Sequence, residues 1–223
     1  MRIVGCEVGR NFGLERVGAI MSFADSIVIR DSNIVHNRAS GDYGGVLIEG
    51  ANNILIQNSS FMDNFAEGLL ADYFLEVDLI GSGGLAISSS SNVLIEHCLF
   101  GNNIAYHFGG GLFVTYTDNV VMRNCSLVNN TAKNGAGMNL YRSRNVVLSS
   151  LWVEGNAAGS NGGGVFAEIV ENIEVLGSKM VSNVASNGFG SAIFVFQCSA
   201  NISGNHFGSN FAPTGYLFVF FDL

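Results

Sequence analysis

Glu96, His97 and Arg123 form the densest set of reactive groups in this sequence. A guanidinium beside an imidazole and a carboxylate could remove a C5 proton from a uronate and steady the anion that results. That is the chemistry of a polysaccharide lyase or epimerase acting on an acidic chain. Glu96 and Arg123 stand 27 residues apart, so the site needs a fold that stacks residues one repeat apart. The same spacing reads more simply as a cross-strand ion pair, with His97 filling a turn. No pair or triple of aspartates falls in one column of adjacent repeats, as glycoside hydrolysis or calcium binding would need. No Cys or His spacing suggests a zinc site, so neither metal nor cofactor is expected.

The elements that would position these groups come from a repeat. The pattern apolar-x-x-Asn-x-small occurs eight times, at Asn11, Asn37, Asn64, Asn103, Asn130, Asn156, Asn183 and Asn210. The spacing is 26 or 27 residues except for one interval of 39. The surplus falls at about 67–82, EGLLADYFLEVDLIGS, which reads as one inserted loop. Eleven residues before each asparagine from Asn37 on, a polar residue opens a β-rich run in most repeats, among them NILI at Asn53 and NVLI at Asn92. A glycine-led run follows it, among them GGVLI from Gly44 and GGLFV from Gly110. Three short strands per repeat leave no room for helices. The expected fold is all-β: a single-stranded right-handed parallel β-helix of about eight coils, forming one domain over 1–223. Coils stacked about 4.8 Å apart make a rod of about 38 Å.

Stacking explains the composition. Asparagines one above another can pass amide-to-carbonyl hydrogen bonds from coil to coil. Gly or Ala follows each because a larger side chain would strike its own copy. Alternation buries Ile54, Ile56, Val93 and Ile95 from the first strand, and Phe61, Phe100 and Leu127 from the second. Cys98 and Cys125 stack as thiols, because parallel side chains point alike and not at each other. Asp118, Arg144 and Glu171 form a surface charge ladder. The outward positions of the glycine-led strand are Leu47, Phe113, Phe166 and Ile193, with Tyr116 and Tyr141 in the turn beyond. This exposed stripe would bind a protein or glycan surface, or be covered by the inserted loop.

The alternation of FMDN, FGNN and FGSN with GGVLI, GGLAI and GGLFV resembles the repeats of the chlamydial polymorphic outer membrane proteins. More broadly, it is similar to the pectate-lyase-like right-handed β-helix superfamily. The resemblance covers essentially the whole chain and implies the architecture. It also implies a secreted surface adhesin, with lyases, hydrolases and epimerases on the same scaffold.

A net charge of −8 with no basic block excludes nucleic acid as the expected partner. No apolar run is long enough for a membrane-spanning helix. No signal peptide is visible, while sequons at Asn58, Asn124, Asn129 and Asn201 suit an extracellular or cell-surface protein. Neither end reads as a cap, so the chain is expected to be a fragment of a longer solenoid, or to self-associate end to end. The reading favoured is a non-catalytic structural or adhesive module of a larger precursor. The alternative is the acidic-polysaccharide enzyme centred on Glu96, His97 and Arg123.

Overall fold

A computed structural model describes residues 1–68 and 81–214, and the backbone of 218–221. Most of the insertion expected at 67–82 therefore lies outside the described residues. All strand pairings are parallel, and each strand meets its counterpart one repeat on, as in Ile54 with Val93 and Val93 with Val120. The chain is a right-handed parallel β-helix.

Four sheets make the wall, one more than the three expected. The first runs from Arg2–Val4 to Ala200–Ser203 and the second from Glu7–Gly9 to His206–Gly208. The fourth, glycine-led sheet runs from Ile20–Ser22 to Phe218–Phe221. Between the second and fourth lies a sheet of two-residue strands, such as Ile104–Ala105 and Thr131–Ala132. In sequence these were the tight bend after each asparagine. They are too short to show an alternation, yet they pair in register (Phe65 with Ile104, Ala66 with Ala105).

The core follows the alternation. Ile54, Ile56, Val93, Ile95, Phe61, Phe100 and Leu127 are all buried, and the Phe61 and Phe100 rings stack at 5.0 Å. Each such side chain stabilises the rod by about 1.5–3 kcal/mol.

The eight predicted asparagines form one continuous ladder. Each Nδ2 from Asn11 to Asn183 donates to the Oδ1 of the next asparagine, at 2.9–3.1 Å. The same Oδ1 accepts the backbone N–H of the asparagine below, as in Asn64 to Asn103 at 3.0 Å. The second Nδ2 proton goes to a backbone carbonyl of the preceding coil, as in Asn130 to Phe100. Left-handed residues such as Asp63, Asn102 and Asn129 lead into this corner. Asn and Asp tolerate that conformation better than most residues, which accounts for part of the asparagine excess.

Two further corners are built the same way. Cys6 N–H donates to Ser32 Oγ, Ser32 N–H to Ser59 Oγ, and Cys98 N–H to Cys125 Sγ at 3.3 Å. All four cysteines are free, and Cys98 and Cys125 are buried as stacked thiols. Thr117 N–H donates to Ser143 Oγ, and Val170 N–H to Cys198 Sγ. Outside the wall, Asn92, Asn119, Asn145 and Asn172 form a second, exposed ladder that the sequence reading had treated only as strand openings.

Candidate functional site

The three reactive residues lie flat on the first sheet. Glu96 and Arg123 are register partners on Ser91–Glu96 and Asp118–Arg123. Arg123 reaches Glu96 Oε2 with Nε at 2.8 Å and Nη2 at 2.6 Å. Gln57 Nε2, one coil below, donates to Glu96 Oε1 at 2.8 Å. Both carboxylate oxygens are thus engaged by neighbours in their own column. His97 is one residue on, exposed, with φ at 55°, and belongs to the turn column of Asp31, Asn58, Asn124 and Ser150. It lines a shallow open groove with Asn58, Leu99 and Asn124 that includes neither Glu96 nor Arg123. The triad does not converge on a common point. One rung of the charge ladder is formed, Arg144 gripping Asp118 with two hydrogen bonds at 3.0 and 2.8 Å, while Glu171 is the register partner of Arg144 on the next strand.

The outer face of the glycine-led sheet differs from the exposed stripe expected there. Ile193 faces the core and is fully buried. Val165 pairs with Ile193, 28 residues on, one more than the usual step. That extra residue shifts the register, and a one-residue shift moves a side chain to the other face. Phe194 takes the outward place beside Phe166. Leu47 and Phe113 do point outward, yet they are buried in a second apolar cluster with Tyr43 and Ala86. Val17, Phe108 and Tyr141 pack against that cluster, Phe108 stacking on Phe113 at 5.9 Å. Val17, Tyr43 and Phe108, in turns that enter glycine-led strands, fold back over this part of the wall and cover it. Phe166 is also nearly buried. Tyr116 and Tyr141 meet edge to face at 6.0 Å beneath Arg142, whose Nη1 donates to Tyr116 Oη at 2.9 Å. The Arg142 guanidinium lies over both rings. Of the six residues expected to form the stripe, Tyr116 is the one left prominently exposed.

What the stripe reading missed is Asn139. It stands outward between Phe113 and Phe166, the polar member of the column Leu47, Ala86, Phe113, Asn139, Phe166, Phe194. Asn139 is only 2% exposed, and its Nδ2 has no hydrogen-bond partner. The Thr115 Oγ1 on the same face is likewise buried and unpartnered. Leaving such a group unpaired costs about 1–3 kcal/mol. Asn139 opens into a cleft of about 90 Å³ walled by Phe108, Phe113, Tyr141 and Glu168. A second hollow of about 360 Å³ shares Phe108 and Glu168 and continues past Phe166, Phe194 and Phe196. The signal was visible in AGMNL, the one glycine-led run with an amide at this place.

A face of aromatic rings with a buried donor and a carboxylate can hold a ligand that is apolar on one side and hydroxyl-bearing on the other. Among the described residues, no cluster of His, Cys, Asp and Glu is placed to hold a metal ion. No described helix is long and apolar enough to cross a membrane.

Fold and sites together define a repeat-built parallel β-solenoid with side-chain ladders at its corners. A family model described as right handed beta helix region matches residues 1–217, and the chain belongs to that family. Neither the curated proteins nor the solved structures gave a match.

Proposed function

We propose that this chain is a non-catalytic, adhesive β-helix module of a larger extracellular or cell-surface protein. It takes its partner on the outer face of the glycine-led sheet. The observation that carries this reading is Asn139, a buried amide with an unspent donor set among aromatic rings. A solenoid built only to be a rod would place another apolar residue there, as the neighbouring coils do. Exposed sequon asparagines at Asn58, Asn124 and Asn201 support an extracellular setting.

The enzyme reading, a lyase or epimerase at Glu96, His97 and Arg123, keeps one supporting feature: Arg123 and Glu96 are adjacent. A base in proton abstraction must reach its substrate, and here each partner is occupied by the other. The test is incubation with polygalacturonate and alginate while following absorbance of the unsaturated uronate product. The adhesive reading expects no product over hours. Turnover abolished by Arg123→Ala would replace it with the enzyme.

A further inference from the structure

We infer that Asn187 is a self-modification site: its side-chain amide is lost to water through a succinimide formed with Gly188, leaving aspartate or isoaspartate. The sequence holds three Asn–Gly steps, Asn134–Gly135, Asn161–Gly162 and Asn187–Gly188. All three lie in turns that enter glycine-led strands of successive coils. Glycine hinders the reaction least, because no Cβ shields its nitrogen from the asparagine side chain. The dipeptide is the same three times, and what differs is how the fold holds it.

Two of the steps are locked from both sides. Gly135 N–H donates to Asn161 O and Gly162 N–H to Phe189 O, each at 2.9 Å. Asn134 Oδ1 accepts the backbone N–H of Asn161 at 3.1 Å, and Asn161 Oδ1 accepts that of Phe189 at 2.9 Å. Attack needs the glycine nitrogen to give up its proton and swing onto the asparagine Cγ, so these bonds must open first. Phe189, not Asn187, stacks on Asn161, and the third step stands outside the column. Among the described residues, Gly188 N–H has no acceptor and Asn187 Oδ1 has no donor. Asn187 is exposed and held by a single bond, from Nδ2 to Gly159 O at 3.1 Å.

In the reaction, Gly188 N gives its proton to hydroxide and bonds to Asn187 Cγ, and the Cγ–Nδ2 bond breaks as ammonia leaves. Water then opens either side of the imide. The new carboxylate stands on Cγ in aspartate, or on the former main-chain carbonyl carbon in isoaspartate, which lengthens the backbone by one carbon. Either product loses the donor to Gly159 O and brings a negative charge to a groove that Asn187 lines with Arg38 and Lys133.

The experiment is peptide mapping by mass spectrometry of the whole chain held at pH 9 and 37 °C, native and in urea. In urea the three steps should deamidate at similar rates. In the native chain Asn187 should stay close to its urea rate, while Asn134 and Asn161 fall behind it about tenfold or more, the barrier of first opening one or two hydrogen bonds. Asn187→Gln keeps an amide but would need a six-membered ring. It should melt as the parent does, since the residue is exposed, and lose the early acidic form on ion exchange. A bound Cβ is avoided at Gly188, where it would lie 2.4 Å from Asn161 Oδ1. An Asn187 that stays intact in the native chain while the urea sample is converted would overturn the site. Native Asn134 or Asn161 reacting as fast as Asn187 would overturn it too, because the hydrogen bonds would then protect nothing.

Discussion

Asn103 and Asn130 share one oxygen: Oδ1 of Asn130 accepts both the backbone N–H of Asn103, at 3.0 Å, and its Nδ2, at 3.1 Å. Both residues are fully buried, so water cannot replace either bond. Asn130→Ala would strand those two donors and deprive Phe100 O of its own donor from Asn130. The expected cost is about 3–5 kcal/mol, read as a large fall in the urea midpoint. The exposed outer ladder is the control. Asn145→Gly removes the exposed bonds to Asn119 and from Asn172 but keeps the left-handed turn easy, and should cost about 0.5–1 kcal/mol. Equal losses at the two sites would mean that burial is not what gives the inner ladder its strength.

The Glu96–Arg123 pair makes the opposite prediction. Arg123 is half-exposed while its partner Glu96 is buried, so solvent screens the pair from one side only. Arg123→Ala should lower stability by about 1–2 kcal/mol, since Gln57 still donates to the buried carboxylate. A loss as large as that of Asn130→Ala would mean that the carboxylate depends on the guanidinium alone.

Much of this fold was written in side-chain period and repeat length. Ile54 and Ile56 stand two apart between Asn53 and Gln57, and Asn64, Asn103 and Asn130 recur at the same corner, so core and ladder could both be placed by counting. Ile193 could not, because the coil before it is one residue longer and the glycine used as a marker had shifted with it. Leu47 and Phe113 were correctly aimed outward, but their burial depends on Val17, Tyr43 and Phe108. Those residues sit in turns without a fixed spacing, where periodicity carries no information. Glu96 and Arg123 were legible as partners because they are one repeat apart. The cleft was not, since it depends on one polar residue interrupting an apolar column and on a ring contributed by a neighbouring turn.

Glycines in this chain divide into two kinds that substitution should separate. A Cβ on Gly110 would lie 2.5 Å from Ala136 O and 2.6 Å from Thr131 O, both backbone atoms of the next coil. Gly110→Ala must push two coils apart and should cost about 2–3 kcal/mol by chemical denaturation. Gly177 has φ at +54° with nothing near its Cβ position, and its column holds Asn58, His97 and Asn124 in the same conformation. Gly177→Asn should stay within about 0.5 kcal/mol of the parent. A large loss at Gly177 would show that the turn column has steric limits of its own.

The thiols give a reading of the corners without mutation of the core. Cys6 is exposed, while Cys98, Cys125 and Cys198 are buried. The hydrogen bond between Cys125 and Cys98, together with burial, pushes the Cys125 thiol up, and burial does the same for Cys198. The attacking species is the thiolate, so both effects slow reaction as well as access. At pH 8 a chromogenic disulfide should titrate one thiol within minutes, that one should vanish in Cys6→Ser, and all four should react in denaturant. Two thiols missing even in denaturant would mean that Cys98 and Cys125 are bridged. Their side chains leave neighbouring coils in parallel, with Cys98 N–H on Cys125 Sγ, so a bridge would have to break that corner bond and turn both sulfurs toward each other.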